Sequence, residues 1–511
     1  MKNILRYPIY QVLIVLFIIP LLLPLLHNGF PITDDGNWMI IRLSGFYQSL
    51  RDGQFPVRFI GRLNHEYGYP VSNFLYPGYL YLGSIFHILG LSFIDSIKVL
   101  LATCMVSNGI FCFLWLRRFF SSFSSFLGAL VYAFHPYLLF DIYTRGSVGE
   151  VLALSIVPVF FYAVEKKSLF FSSLLFGGVI LSHNILALLF VPIFSFYIVA
   201  RNRTLIPSIF YGLLVSCFFW IPALYDLRYV RFSSTTISEW SVYFLDDLTL
   251  VGIQTVLILL LSAYFLKKKK NTLGILFMFI SIGSIFLSSP LSSPIWSTSS
   301  IGKYIQFPWR FLSLAIPSSA YLGAYAFSNL ERYRKILYLT LSAVIVFFLF
   351  LGTHNRMRSI SYDDKTDDYY ATNDDTTTVS NEYMPVYVQT DPQNRPSTRV
   401  QLIGEGEIVK EHYSTRKYTV DVFAREPLHI QFNTIYFPGW EAVVDTSTTA
   451  IQKNNEGLME IRIPKPGLHA INLEYKQNGI HALSNAVSLV SLGVLSVWYS
   501  YALMKQRKII T

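Results

Sequence analysis

Charged residues are scarce in this chain: they make up 14% of its 511 residues, while hydrophobic residues make up 53%. A soluble globular protein carries roughly a quarter charged residues, so this composition excludes an ordinary soluble domain. Apolar runs of about 20 residues recur along the chain, which is the length a helix needs to cross a bilayer. The sequence therefore predicts a polytopic α-helical membrane protein.

Cysteines are few and nucleotide-binding motifs are lacking. Cys104, Cys112 and Cys217 all lie inside apolar runs, which excludes a disulfide framework and a cysteine metal site. Neither a P-loop nor a GxGxxG motif is evident in the short segments between the apolar runs. An enzyme of this kind would take its donor from the membrane or from outside the cell rather than from cytosolic nucleotides.

The formal net charge of +10 comes from short basic clusters between the apolar runs. This distribution is the positive-inside pattern of membrane proteins rather than a patch for nucleic acid, and it predicts two cytoplasmic termini. The clusters are Lys2 with Arg6, Arg117-Arg118, Lys166-Lys167, Arg201 with Arg203, Lys267 to Lys270, Arg332 to Lys335, and Lys505 to Lys508.

Placing every basic cluster in the cytoplasm gives about twelve crossings. The first run, from about Tyr7 to Leu26, lacks a small-x-small cleavage site and is interpreted as a retained signal anchor. Residues 76–90 are short for a crossing and are predicted to form a re-entrant or interfacial element. The remaining predicted spans are residues 95–116, 121–139, 148–165, 168–182, 185–200, 205–224, 247–266, 271–288, 308–327, 336–353 and 481–503.

Residues 354–480 are polar and contain runs in which hydrophobic and polar residues alternate, such as Tyr418 to Phe423 and Met459 to Ile463. Period-two alternation between turn signals predicts an antiparallel β-sandwich, which the topology places outside the cell. The run rich in Asp and Thr from Asp363 to Asp375 is interpreted as a solvated linker, with cation binding as the alternative.

The predicted organisation is thus a helical membrane domain, an exoplasmic β-domain and a final span with a basic tail. The corresponding ranges are residues 1–353, with a first exoplasmic loop over 28–94, then 354–480 and 481–511.

Charged side chains collect at the predicted outer ends of the spans. Asp34 and Asp35 follow the first span directly, and carboxylates at a membrane surface are costly to dehydrate. Arg42 comes seven positions after Asp35, which puts both on nearly the same face of a helix. The other polar residues at this surface are Arg58, His65, Glu66, Tyr67, Asp141, Arg145, Glu150, His183, Asn184 and Gln306 to Arg310.

This collection suits a transferase with a lipid-phosphate donor, because a carboxylate can deprotonate an acceptor hydroxyl and cations can neutralise a leaving phosphate. Structural interpretations stay open for each member. Asp34 or Asp35 can cap a helix that begins near Gly36. Arg145 and Glu150 can form a structural ion pair, and His183 can be an interfacial histidine without a ligand. Arg310 can extend to lipid head groups, and Trp38 and Tyr67 can belong to an aromatic belt at the membrane interface.

Short motifs along nearly the whole chain resemble a family of bacterial membrane proteins. They are similar to proteins labelled 6-pyruvoyl-tetrahydropterin synthase-related and to YfhO-type proteins, with an architecture like the GT-C glycosyltransferase superfamily. Nothing in the chain resembles a zinc-histidine pterin synthase. The motifs are Asp35-Gly36 with Arg42, Arg51 to Arg58, Tyr67-Gly68-Tyr69-Pro70, Tyr143-Thr144-Arg145-Gly146 with Glu150, Ser182-His183-Asn184, Phe219 to Ala223, Gln306 to Arg310, Tyr436 to Trp440, and Pro464 to His469.

The resemblance implies an inverting glycosyltransferase at the outer face of a bacterial plasma membrane. It implies Asp35 as the catalytic base, with Asp34 as the second candidate. The candidate ligands of the donor phosphate are Arg42, Arg58, Arg145, His183 and Arg310, and the candidate substrate-binding residues are Trp38, Glu66, Tyr67, Glu150 and Gln306.

The expected partners are a polyprenyl-phosphate sugar donor, a cell-wall or teichoic-acid-like glycan acceptor and membrane lipids, without nucleic acid. A divalent metal ion stays open as a cofactor. A flippase of lipid-linked saccharides is the alternative function, but it should carry polar residues along its spans, and most spans are apolar in the middle. A third possible function is that of an assembly scaffold whose outer domain binds glycan. A single catalytic site requires Asp35, Arg145, His183 and Arg310 to lie within about 20–24 Å of one another.

Overall fold

The computed structural model describes residues 8–234, 239–333, 335–357 and 360–510. A π-helical turn over Asp141–Arg145 directly follows the helix Pro136–Phe140. The α-helices are α1 (Pro8–Leu22), α2 (Gly36–Arg51), α3 (Gly78–Ile88), α4 (Phe93–Leu116), α5 (Ser122–Ala133), α6 (Pro136–Phe140), α7 (Val148–Glu165), α8 (Leu169–Ser182), α9 (Asn184–Arg201), α10 (Pro207–Asp226), α11 (Ile253–Lys268), α12 (Thr272–Ser288), α13 (Ser293–Thr298), α14 (Ile301–Ile305), α15 (Leu312–Tyr333), α16 (Lys335–Met357), α17 (Asp367–Thr372) and α18 (Gly479–Ile510).

The strands lie in the first loop and in the C-terminal part of the chain. They are β1 (Phe30–Pro31), β2 (Tyr362–Asp363), β3 (Val400–Ile403), β4 (Gly406–Ser414), β5 (Lys417–Ala424), β6 (Leu428–Ile435), β7 (Trp440–Val444), β8 (Ser447–Thr449), β9 (Gln452–Lys453), β10 (Leu458–Ile463) and β11 (Gly467–Tyr475). The chain is therefore mostly helical, with a β region before its last helix.

Each predicted span overlaps a helix, and the bounds of α7 coincide with the predicted 148–165. Among the described residues, seven helical stretches are long and apolar enough to cross a membrane. An eighth would form if α12 and the helical turns over Pro290–Thr298, which bend by 85°, count as one span. These helices indicate a membrane protein, while the count of about twelve crossings stays a prediction.

Among the described residues, basic clusters from three parts of the chain have contacts at the same helix ends. Arg201 at the end of α9 donates to Glu165 at the end of α7 with distances of 2.7 and 2.9 Å. Arg118 after α4 donates to the carbonyl of the same Glu165, and Tyr325 of α15 donates to the carbonyl of Lys269 at 3.0 Å. This is the arrangement that the charge-based topology requires, although the side of the membrane stays a prediction.

Residues 76–90 contain α3, which has 11 residues. Such a helix is about 16 Å long, roughly half the thickness of the hydrocarbon core. It packs closely on its neighbours, because a Cβ on Gly78 would lie 2.7 Å from the carbonyl oxygen of Leu181 at the end of α8. The length agrees with the expectation of an element that does not cross.

Two antiparallel sheets form the β region, with strand orders β3-β6-β10-β9 and β4-β5-β11-β7-β8. Alternate residues of β5 are buried, beginning with Tyr418. The ring of Tyr418 lies 5.3 Å from the ring of Phe432 in the other sheet, and its hydroxyl is 2.6 Å from Thr434. The two sheets therefore pack face to face, as the alternating runs predicted.

Residues 360–399 pack against the first loop rather than continuing a sheet. β2 pairs antiparallel with β1, and the Tyr370 hydroxyl donates to Asn37 of α2 at 2.6 Å. The Asp367 carboxylate accepts the N–H groups of Phe93 and Ile94 at the start of α4, at 2.8 and 3.2 Å. The linker interpretation of this Asp- and Thr-rich run is wrong, because its partners come from segments distant in sequence.

Candidate functional site

Asp35 occupies the N-cap position of α2, but its side chain accepts no hydrogen bond from the helix. The N–H of Gly36 donates instead to the hydroxyl of Thr33, at 3.1 Å. The helix-capping interpretation of the two aspartates is therefore wrong, because Thr33 satisfies the helix start. The Asp35 carboxylate is available for other contacts.

The backbone of the aspartate loop is bound to the π-helical turn. The N–H groups of Asp34 and Asp35 donate to the carbonyls of Thr144 and Arg145, at 2.9 and 2.7 Å. The turn ends at Gly146, which has φ of 66°, and a Cβ there would lie 2.3 Å from the Thr33 hydroxyl. A glycine is thus required where the two segments meet, and their contact places Asp35 beside the Arg145 side chain.

The buried guanidinium of Arg145 joins three carboxylates. Its Nη2 lies 3.3 Å from Asp35 Oδ2, and its Nη1 lies 2.6 Å from Glu150 Oε1 and 3.4 Å from Asp141 Oδ1. The Arg145–Glu150 ion pair expected as a structural alternative exists, but it is one part of a larger network.

Glu150 is fully buried, and its carboxylate contacts side chains from three other segments of the chain. Its Oε1 accepts from Nε of Arg310 at 3.0 Å, and its Oε2 accepts from the Tyr137 hydroxyl at 3.1 Å. His183 Nε2 lies 3.6 Å from Oε1, while His183 Nδ1 accepts the N–H of Leu186 and caps α9. Because Nδ1 is an acceptor, a neutral ring carries its proton on Nε2, which faces Glu150.

Arg310 is buried and bound within the protein. Its Nη1 donates to Gln306 Oε1 at 2.8 Å and to the carbonyl of Ile305 at 3.0 Å. The interpretation of Arg310 as a residue that extends to lipid head groups is therefore wrong. Its guanidinium lies 4.8 Å from the ring centre of Phe307, and that of Arg145 lies 5.6 Å from the same ring.

We refer to these residues as the charged cluster: Asp35, Asp141, Arg145, Glu150, His183 and Arg310. Contacts of 3.6 Å or less connect all six residues, which the chain brings from five separate places. Asp35, Arg145, His183 and Arg310 thus satisfy the distance that a single site requires. Arg310 donates to the carbonyl of Ile305, which lines an open cavity of about 460 Å³. The other lining residues are Leu188, Ser300, Ile301, Tyr304 and Phe311.

Asp34 and Arg42 lie at the edge of the charged cluster. Partial burial, and then the neighbouring charge of Asp35, raise the pKa of the Asp34 carboxyl above its ordinary value. The buried guanidinium of Arg42 donates to the Thr377 hydroxyl at 3.0 Å and to the Thr377 carbonyl. Arg42 is therefore held by the segment before the sheets rather than by the charged cluster.

Three predicted residues have partners elsewhere. Arg58 donates to Asn73 and to Asn485 of α18, each at 3.1 Å, and burial lowers its pKa. Glu66 forms an ion pair with Arg399, and the carbonyl of Tyr67 accepts the N–H of Ile435 at 2.7 Å. These residues join the first loop to α18 and to the sheets rather than to the charged cluster. Trp38 is half-buried against the hydrophobic core.

Sequence reasoning gave no role at the site to Tyr137, Tyr76 or Asp141, although Asp141 was among the polar residues of the predicted outer surface. Asp141 precedes Arg145 by four positions, a helical spacing that was a usable signal. The Tyr76 ring packs against the His183 ring, with centres 4.6 Å apart. Neither Tyr76 nor Tyr137 has a local pattern that sets it apart from an interfacial aromatic residue.

The donor set does not fit a resident metal ion. Among the described residues, no group of three or more His, Cys, Asp or Glu side chains could hold one. Asp35, Glu150 and Asp141 all direct an oxygen to Arg145. No step of the chemistry is therefore assigned to a metal.

Comparison with known proteins finds no matching family model and no matching curated protein. Among solved structures, the chain is similar to the crystal structure of the Archaeoglobus fulgidus oligosaccharyltransferase in the apo form. The TM-score is 0.41 at 13% sequence identity, over 72% of this chain and 60% of that chain. The chain thus spans less than two thirds of that protein. The resemblance to YfhO-type proteins stays a prediction.

Proposed function

We propose that this protein is a membrane glycosyltransferase that transfers a sugar from a polyprenyl-phosphate donor to a hydroxyl of a cell-envelope glycan. The observation that carries the proposal is the position of Arg145 between Asp35 and Glu150, with Arg310 bound to the same Glu150 oxygen. A carboxylate that can act as a base and two guanidinium groups thereby share one cluster at the end of the bundle opposite the basic clusters.

Asp35 is the proposed base because its side chain is 28% exposed, whereas those of Asp141 and Glu150 are 0% exposed. It accepts the proton of the acceptor hydroxyl. The acceptor oxygen forms a bond to the anomeric carbon, the bond from that carbon to the phosphate oxygen breaks, and the polyprenyl phosphate leaves. Attack opposite the leaving phosphate inverts the anomeric carbon.

Arg145 and Arg310 are the proposed ligands of the leaving phosphate. Three carboxyl groups outnumber the two guanidinium groups, so the donor is held by oriented N–H groups rather than by a net positive charge. Glu150 acts as a positioning residue, because it binds one nitrogen of each guanidinium. The cavity beside Arg310 is lined mainly by apolar side chains, which suits the prenyl chain.

The test uses the full-length protein in lipid vesicles. Undecaprenyl phosphates carrying radiolabelled hexoses or N-acetylhexosamines serve as donors, and isolated cell-envelope glycan serves as acceptor. We expect the wild-type protein to transfer at least one sugar, and Asp35→Asn to lower the rate by roughly 10²–10⁴-fold, the usual contribution of a general base. The matched control is Asp246→Asn, at an exposed aspartate outside the charged cluster.

Two outcomes contradict this proposal. Transfer by Asp35→Asn at the rate of Asp246→Asn removes Asp35 as the base. If the wild-type protein transfers none of the sugars but moves the labelled lipids across the vesicle membrane, the flippase alternative is correct.

A further inference from the structure

Three aromatic side chains pack together next to the charged cluster, and one of them, Phe307, lies against the guanidinium groups of Arg145 and Arg310. The rings of Phe307 and Trp309 are stacked, with centres 5.0 Å apart and planes 6° apart. Tyr243, from a separate segment, meets both rings edge-on at 4.8 and 5.1 Å. All three side chains are partly exposed. We refer to Tyr243, Phe307 and Trp309 as the aromatic group.

A strained turn holds Phe307 in this position. Gln306 has φ of 67° and ψ of −56°, and the N–H of Phe307 donates to the carbonyl of Ile305 at 2.8 Å. These values define a γ-turn of the rare, strained form, at a residue that has a Cβ. Nη1 of Arg310 binds both Ile305 and Gln306 and so stabilises the turn. Strain of this kind persists where the surroundings enforce it, which is common at ligand sites.

The indole N–H of Trp309 is buried and has no hydrogen-bond partner among the described residues. A buried donor without an acceptor costs free energy that a ligand oxygen would recover. A pyranose ring offers both an apolar C–H face for the aromatic rings and hydroxyl oxygens for the indole. A prenyl chain offers no acceptor, so the aromatic group fits a sugar better than a lipid tail.

We infer that the aromatic group binds the sugar residue of the donor; this inference rests on the proposed function. Arg310 contacts one residue from each of two surfaces of different chemistry, Ile305 and Phe307. Ile305 and Phe311 line the apolar cavity, and the Phe307 ring lies against the guanidinium. A donor with its prenyl chain in the cavity and its phosphate at Arg310 carries its sugar one bond beyond the phosphate, where Phe307 and Trp309 lie.

The experiment compares two lipids with the purified full-length protein. Equilibrium binding is measured for undecaprenyl phosphate and for undecaprenyl phosphates that carry a hexose or an N-acetylhexosamine. We expect the wild-type protein to bind at least one sugar-bearing lipid roughly fivefold more tightly than the sugar-free lipid, the size of an aromatic packing contact. Phe307→Leu and Trp309→Leu should weaken the binding of the sugar-bearing lipid more than that of undecaprenyl phosphate, and so remove this difference.

Two further variants separate the causes. Trp309→Phe keeps a ring and removes the N–H, so it should lose part of the difference. Trp498→Leu makes the same substitution at a tryptophan of α18 that is 45% exposed, and it should keep the whole difference.

The inference is overturned if the wild-type protein binds all the lipids equally, or if the Phe307 and Trp309 variants weaken the sugar-free lipid as much as the sugar-bearing ones. A folded wild-type protein that binds neither kind of lipid overturns the proposed function together with the inference. Binding of undecaprenyl phosphate without a sugar-dependent difference leaves the proposed function standing and rejects the sugar site alone.

Discussion

The guanidinium of Arg145 lies 3.3 Å from the carboxylate of Asp35, a residue 110 positions earlier in the chain. The other terminal nitrogen of Arg145 is 2.6 Å from Glu150, whose carboxylate also binds Arg310. The proposed base and the proposed phosphate ligands are therefore parts of one buried ion network. A substitution at one member of the network should therefore alter the contacts of the other members.

Glu150→Gln tests the residue that positions both arginines. The substitution leaves two buried guanidinium groups without their shared charge, which we expect to lower the free energy of unfolding by about 3–5 kcal/mol. Unfolding of the detergent-solubilised protein measures the change, and undecaprenyl phosphate binding should be lost. Glu239→Gln, at an exposed glutamate, should leave both quantities unchanged. Equal behaviour of the two variants would show that Glu150 has no positioning role.

His183 has two separable contacts, one with each ring nitrogen. His183→Asn keeps a good helix cap for α9, so its stability should stay within about 0.5 kcal/mol of the wild type. It removes the Nε2 group that faces Glu150, so donor affinity should fall. His183→Ala should lose the same affinity and also about 1 kcal/mol of stability from the missing cap. Unchanged donor binding by His183→Asn would limit this residue to capping.

Arg58 and Arg310 were both predicted to bind phosphate, and the structure gives them different partners. Arg58→Lys should lower the free energy of unfolding by about 1–3 kcal/mol, because an ammonium cannot keep the geometry of three hydrogen bonds to the first loop, α10 and α18. The KM for the donor should stay the same. Arg310→Lys should raise that KM. If the KM for the donor rises by a similar factor in both variants, Arg58 also binds the substrate.

The strained turn at Gln306 can be tested by two substitutions. Both remove the side-chain oxygen that accepts a hydrogen bond from Arg310. Glycine adopts positive φ freely, whereas alanine keeps the penalty of a Cβ. We therefore expect Gln306→Gly to be about 1 kcal/mol more stable than Gln306→Ala. Chemical unfolding of the two variants measures the difference directly. An alanine variant that equals or exceeds the glycine variant in stability would mean that the turn is not strained.

The helices and strands were largely predictable because their signals are local. The apolar run that predicts a span at 148–165 ends at the same residues as α7, since charged or polar residues flank it on both sides. Alternation in Tyr418 to Phe423 likewise predicted β5, whose buried face belongs to a sheet packed on another sheet. The first pattern depends on the length of one helix, and the second depends on the buried face of one strand.

The partners of the polar residues were harder to predict. Asp35 and Thr33 are both good caps by residue type, and the backbone contact with Thr144 and Arg145 leaves the capping to Thr33. The Asp- and Thr-rich run has the composition of a linker, yet Asp367 and Tyr370 bind α4 and α2. Composition describes the average preference of a segment for water, but it does not describe which distant segment lies beside it.

The sequence by itself determined that this chain is mostly helical and apolar, and where its long apolar helices and its alternating strands such as β5 lie. It also showed which charged residues carry a high cost of burial near a membrane. Only the tertiary structure decided that Asp35, Arg145, Glu150, His183 and Arg310 form one cluster while Arg58 and Glu66 join other elements. The reason is physical. A residue's cost of burial is a property of its type, whereas the partner that offsets this cost is set by the packing of segments far apart in the chain.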